Sequence, residues 1–336
     1  MNQPQVNLLE YIRSKTQVDL DTFDVTVANE FGRCVDCTSN QTSQYEYFTE
    51  LDKPGRKDIL HKSIETARKL HGQFADVTFE ELTVEVAAVY LGLVMLPAVS
   101  GNLHVMANPN YAYSKRKVVD TGKRFHKLFT SIEPSFPNSR LVMKVPATWE
   151  GLQACRDLRA LGIKTLATTL FTMEQAVLAG EVGCVSISPF LHELKAGFDS
   201  TYKDSNPLLD LCVQAQKWYT QQSLPTKIKA CANLGLDELL QLTGVDALTI
   251  VPDDLRALQR AYRDLDDVAK LSLFQADVLA KDIGPYPAYI DDECTYRKDF
   301  DHTEDGQGQF KLAQAIHIFC DFQTKAEHLI RQAKAS

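Results

Sequence analysis

A closed barrel of eight parallel strands wrapped in helices, the TIM-type (β/α)8 fold, is what this sequence predicts. Three observations carry that expectation. Short β-rich runs alternate with longer stretches of helical spacing, the signature of repeated βα units. The runs number eight, the count that closes such a barrel. No GxGxxG follows the first run, which weakens an open doubly wound sheet as the competitor. At 336 residues and 44% hydrophobic, the chain can fill the barrel as a single domain over 1–336.

The expected strands, in order, are Val18–Asp21, Arg33–Thr38, Asn102–Asn108 and Leu141–Pro146, then Thr165–Phe171, Cys184–Pro189, Lys227–Asn233 and Ala247–Val251. Helical spacing fills most of the gaps, as in Trp149–Leu161 and Leu234–Thr243. Two additional helices are expected between the second and third strands, around Lys57–Leu70 and Phe79–Leu96. Gly284–Gly308, rich in Pro, Gly and acidic residues, reads as a long loop. A last helix from about Phe310 to Ala333 carries Leu312, Ile316, Phe319, Phe322, Ala326 and Leu329 on one face. That face fits packing on the barrel or on a second subunit.

Charge and apolar runs narrow the function classes. The net charge is −8, from 44 acidic and 36 basic residues, which argues against nucleic acid as the main partner. The most apolar stretch, Val86–Val99, has 14 residues and contains Pro97, short of the roughly 20 that cross a bilayer. The N-terminus through Val18 lacks the apolar core of an export signal. A cytoplasmic location and reduced thiols for the eight scattered cysteines are therefore expected. Cys34 and Cys37 form a lone CxxC with no second pair nearby, so packing is the simpler reading. The acids and histidines show no metal-ligand spacing, and no organic cofactor is expected.

Chemistry in this fold belongs at the C-terminal ends of the strands. Lys144 stands in Leu141-Val142-Met143-Lys144-Val145-Pro146, a run with no other charge. It is either paired with a carboxylate of a neighbouring strand or a desolvated amine. Burial of an unpaired amine disfavours the ammonium and leaves a nucleophile for carbonyl carbon. Polar residues at other strand ends, Asp21, Asn40, Thr168 and Ser188, have local explanations as caps, turns or backbone ligands. Around one buried lysine they form a candidate site.

At these residues the chain resembles the transaldolases, over nearly its whole length. Asp36-Cys37-Thr38-Ser39-Asn40-Gln41-Thr42 is similar to that family's Asp-Ala-Thr-Thr-Asn-Pro-Ser, and Lys144-Val145-Pro146-Ala147-Thr148-Trp149-Glu150-Gly151 to its lysine motif. Thr168-Thr169-Leu170-Phe171-Thr172 with Glu174-Gln175-Ala176, Ile187-Ser188-Pro189-Phe190, and Gly244-Val245-Asp246 with Leu248-Thr249-Ile250 extend the resemblance to five motifs in order. The resemblance implies a class I aldol mechanism and often a homodimer. A lysine forms a Schiff base with a ketose, an aldehyde is released, and the retained three-carbon unit passes to an acceptor. By motif, Lys144 is the nucleophile and Asp21 the acid/base. Asn40 binds the retained unit, Thr168 helps position a water, and Ser188 and Phe190 belong to the substrate pocket.

The departures bear on the substrate. Met106 falls where the family's third strand has a glutamate that moves protons; His104, two residues earlier on the same face, is the remaining acid/base candidate. Glu193 and Leu234 replace two arginines that hold the substrate's phosphate, leaving Lys195 and Lys229 as the nearest cations. Each lost guanidinium removes roughly 1.5–3 kcal/mol of charge-assisted hydrogen bonding. The expectation is Schiff-base chemistry on an unphosphorylated or atypical small carbonyl compound, in carbohydrate or specialised metabolism. Ordinary pentose phosphate transaldolase and a non-catalytic or non-covalently acting barrel stand as alternatives.

Overall fold

The computed structural model describes residues 4–32, 34–53, 55–279 and 282–335. Eight strands form the barrel: β1 (Gln17–Leu20), β2 (Cys37–Thr38), β3 (Leu103–Met106), β4 (Leu141–Pro146), β5 (Lys164–Leu170), β6 (Ser186–Pro189), β7 (Lys227–Ala230) and β8 (Ala247–Ile250). Each pairs in parallel with its neighbour in sequence, and β8 closes onto β1. The fold is a (β/α)8 barrel with additional helices. All six residues of β4 are buried, as a parallel strand held between a packed lumen and a helical shell must be. That is why its sequence reads as an unbroken apolar run interrupted only by Lys144.

The second strand is shorter than expected. Its ladder covers Cys37–Thr38 alone, and Arg33 lies outside the described residues. Val35 still donates its N–H to the Val18 carbonyl at 3.2 Å, so the chain runs beside β1 without regular pairing. After β2 come three helices, Gln41–Thr49, Arg56–Leu70 and Phe79–Met95. The last of these holds most of the 14-residue apolar run. Among the described residues no helix is long and apolar enough to cross a membrane.

The expected loop Gly284–Gly308 is corrected by the structure, which has a helix at Glu293–His302 and a 3-10 turn at Thr303–Gly306. Asp292 caps the helix by accepting from the Thr295 N–H at 3.0 Å, and Tyr296 and Phe300, one turn apart, bury one face. Pro285 and Pro287 before it, and Gly306 and Gly308 after it, gave the segment its loop-like composition. The C-terminal helix begins earlier than expected and runs over Gln307–Ala335. It packs on Gln41–Thr49, on Phe79–Met95 and on the turn Leu194–Gly197 that follows β6. A small antiparallel ribbon, Gln5–Asn7 with Tyr262–Asp264, was not expected.

Helix Phe79–Met95 carries two buried carboxylates into this packing, Glu81 and Glu85. Arg124 answers them with a two-pronged contact to Glu85, Nε to Oε2 at 2.6 Å and Nη2 to Oε1 at 2.7 Å, and lies 3.7 Å from Glu81. Removing one partner of such a pair leaves buried charge uncompensated. Arg124→Ala is expected to lower the unfolding free energy by about 3–5 kcal/mol in urea titration.

Candidate active site

Side chains alternate along a strand, so residues two apart share a face. Two lysines occupy the lumen, and their surroundings differ in kind. Lys229 on β7 reaches Asp19 Oδ2 at 2.5 Å and Asp36 Oδ2 at 2.8 Å. Burial opposes its charge, yet the two carboxylates hold its ammonium above the usual lysine value. His104 joins the same layer, with Nε2 3.4 Å from Asp36 Oδ2. Burial pushes its imidazole down, outweighing that hydrogen bond.

Lys144 lies one layer nearer the C-terminal rim. It is 4% exposed, and its Nζ donates to a neutral group, Thr38 Oγ1, at 3.3 Å. Among the described residues no carboxylate forms an ion pair with it. Asp21, just beyond the end of β1, faces the same space. Burial raises its carboxyl above the ordinary range although Lys144 pulls it down, and its Oδ1 has no hydrogen-bond partner. Lys144, Asp21, Asn40, Phe190 and Cys231 all line one cavity of about 380 Å3. Asn40 commits its Oδ1 to capping helix Gln41–Thr49 through the Ser43 N–H at 3.0 Å, which leaves its amide NH2 for a ligand. Burial pushes the Cys231 thiol up to about 12, so it remains protonated at neutral pH and is no rival nucleophile.

The other expected residues sit around this cavity rather than on its lining. Thr168 and Ser188 are buried in the wall, Thr168 with an Oγ1 that has no hydrogen-bond partner. Met106 is level with Lys144 in the β3–β4 register and packs with Phe125 and Gln44 around a gap of about 10 Å3. His104, two residues back toward the bottom layer, is not part of the cavity lining.

Backbone details fix the lysine strand. Thr169 has φ +52°, a strained value for a β-branched residue, at the point where the β5–β6 register shifts. Fully buried Gln175 ties that bulge down: its Nε2 donates to the Ala147 carbonyl at 2.8 Å and its Oε1 accepts from the Phe171 N–H at 2.8 Å. Gly151 accepts no side chain, because a Cβ there would overlap the Pro146 carbonyl oxygen. The glycine lets the helix after β4 start directly against the strand that carries Lys144.

The mouth of the cavity is formed by the loops after β6 and β7 and by the C-terminal helix. Glu193 accepts from Gln314 Nε2 at 2.7 Å and from the Tyr202 hydroxyl. His192 lies between Asp204 Oδ2 at 3.3 Å and Glu238 Oε1 at 2.7 Å. Although burial opposes its charge, Glu238 and Asp204 raise the His192 pKa. Leu234, Phe198 and Phe319 complete the rim. Lys195 lies over the Tyr202 ring at 4.5 Å. Neither it nor Lys229, which is fixed in the bottom layer, lines this cavity. Among the described residues no group of three or more His, Cys, Asp or Glu is arranged to hold a metal.

The profile of the transaldolase/fructose-6-phosphate aldolase family matches residues 18–329. The chain belongs to that family. It is 27% identical over 277 residues to a transaldolase of Prochlorococcus marinus (strain MIT 9312), with 79% of this chain and 81% of the relative covered. A transaldolase of Buchnera aphidicola subsp. Baizongia pistaciae is 26% identical over 333 residues, 97% and 99% covered, and one of Methylococcus capsulatus is 26% identical with 96% of both covered. Family membership places the chain among transferases of the transaldolase type. The family motifs divide into chemistry and support: Lys144 and Asn40 face the cavity, whereas Gln175 and Gly151 hold the strand ends in place.

Sequence reading missed the Asp19–Lys229–Asp36 layer, the Thr38 contact and Cys231. The available signal was charge inside apolar strands, Asp19 between Val18 and Leu20 and Lys229 between Ile228 and Ala230.

Two outcomes follow from this geometry. Lys229→Met strands Asp19 and Asp36 and is expected to cost about 3–5 kcal/mol in urea unfolding, while Lys144→Met changes stability by less than about 1 kcal/mol or raises it. Equal losses would show that both amines are paired. Asp21 carries a raised folded pKa, so its ionisation weakens the fold above that pKa and has no effect below the unfolded value. Asp21→Asn is therefore expected to be more stable than wild type at pH 7, and the gain should vanish as pH falls below the ordinary aspartate range.

Proposed function

We propose that this chain is a class I aldol enzyme that forms a Schiff base at Lys144 with a small carbonyl substrate lacking a phosphate. The observation that supports this most is an amine buried beside a cavity of about 380 Å3, with a hydroxyl rather than a carboxylate as its hydrogen-bond partner. A buried amine that opens onto a cavity is placed to attack a carbonyl carbon.

The reaction runs as follows. The Lys144 amine adds to the ketone, the Asp21 carboxyl gives its proton to the departing hydroxyl, and water leaves the protonated imine. Asp21 takes the proton of the hydroxyl two carbons from the imine carbon. The intervening carbon–carbon bond breaks, an aldehyde departs, and the electron pair remains as an enamine. In the reverse sense that enamine carbon attacks an acceptor aldehyde, Asp21 returns the proton to the new alkoxide, and water releases the product from Lys144. Asn40 holds an oxygen of the retained fragment through its amide NH2. Thr168 and Ser188 shape the wall behind it, and Phe190 packs edge-on against Phe171 at 5.6 Å, which keeps that side of the pocket apolar.

The mouth supports a substrate without phosphate. Where family members place arginines, this chain has Glu193 and Leu234, and the His192 imidazole is hydrogen-bonded to Glu238 at 2.7 Å with Asp204 3.3 Å away. A dianionic phosphate there would meet the Glu193 carboxylate, and no arginine is among the residues that line the cavity. The relatives named transaldolase favour the ordinary sugar-phosphate reading instead.

Borohydride trapping separates the two. With dihydroxyacetone or fructose the wild type should gain the mass of a reduced adduct on Lys144, and Lys144→Met should gain none. Labelling by fructose 6-phosphate alone would restore the sugar-phosphate reading. Labelling by no carbonyl compound would remove Schiff-base chemistry from this site.

A further inference from the structure

A second cavity, about 580 Å3 in volume, opens on the other side of Asp21. It shares Asp21, Ser43, Glu46 and Val251 with the lysine cavity, so the two chambers meet at the Asp21 carboxylate. Its inner wall carries polar groups that the protein leaves unsatisfied. Ser39, 1% exposed, and Gln44, 2% exposed, have an Oγ and an Oε1 without hydrogen-bond partners, as does Asp21 Oδ1. Buried polar atoms are ordinarily paired, and these unpaired ones gather at one chamber wall. Asp21 Oδ1 and Gln44 Oε1 can only accept, so the missing partner is a hydrogen-bond donor.

The charges in the chamber point the same way. Its three cations are already matched: Arg56 to Glu50 at 2.5 Å and Asp24 at 3.1 Å, Lys53 to Glu50 at 2.9 Å, and Arg256 to Glu30 at 2.9 Å and Asp253 at 3.1 Å. Glu46, at the junction of the chambers, forms no ion pair among the described residues. Partial burial first, then Glu50 and Asp21, raise its carboxyl pKa against the pull of Arg56 and Lys53.

We infer that this chamber is a binding site for an amino-polyol: a small molecule carrying a protonated amine for Glu46 beside hydroxyl groups for Asp21, Ser39 and Gln44. It deepens the Schiff-base reading, on which its link to Lys144 rests, by giving the part of a substrate beyond Asp21 a defined chemistry.

The test uses probes that have no carbonyl and so cannot react with Lys144: D-glucamine, sorbitol and sorbitol 6-phosphate. Calorimetry on the wild-type protein at pH 7 is expected to rank glucamine tightest and sorbitol 6-phosphate weakest, with about tenfold between them. Glu46→Gln, at an exposed position, is expected to weaken glucamine about fivefold and leave sorbitol unchanged. Ser39→Ala should weaken both. Equal binding of glucamine and sorbitol 6-phosphate, unchanged glucamine binding in Glu46→Gln, or no glucamine binding at millimolar concentration would each overturn the inference. Borohydride labelling with dihydroxyacetone, run in parallel, keeps the two readings apart. Labelling lost with glucamine binding retained counts against the Schiff base alone, and the converse counts against the chamber alone.

Discussion

A cation inside a barrel lumen needs a counter-charge, and the two lumen lysines of this structure meet that constraint differently. Desolvation of an isolated ammonium costs several kcal/mol, more than a single neutral hydrogen bond returns. Lys229 takes the first solution with Asp19 and Asp36. Lys144, one layer above, is offered only the Thr38 hydroxyl. The bottom layer also holds one more carboxylate than ammonium, since Lys229 answers two acids and burial depresses the His104 imidazole.

Reactive geometry here depends on residues with no chemistry of their own. The strained backbone of Thr169, the buried amide of Gln175 and the missing side chain of Gly151 each set how β4 and β5 end. Strain of that kind persists only where surrounding contacts over-determine it. Fully buried Gln175 bonds backbone groups of Ala147 and Phe171, which supplies that over-determination. Much of what looks like an active-site motif in the primary structure is therefore scaffolding placed one turn behind the reacting groups.

The barrel was legible in the sequence because parallel strands buried on both faces read as apolar runs, and β4 matched the expected Leu141–Pro146 at both ends. The β2 segment was less legible, since only Cys37–Thr38 forms a ladder. Helix Glu293–His302 was hidden by prolines before it and glycines after it, whose local signal outweighed Tyr296 and Phe300. In the site, Lys144 and Lys229 both interrupt apolar strand residues, Lys229 in a strand that also begins with Lys227. Which of them is paired depends on carboxylates 193 and 210 residues away, and no local pattern encodes that. That Met106 is level with the lysine comes from the strand register, and the depth of His104 depended on Asp36, whose inward direction the sequence did not disclose.

The C-terminal helix gives the molecule a division of labour. Gln314 and Phe319 from that helix help build the mouth, yet the helix pairs with no strand of the barrel. Substitutions along its inner face can reshape what enters without disturbing the ring of strands or the lysine at its centre. The entrance is thus shared between loops of the barrel and a helix that stands outside its ring of strands.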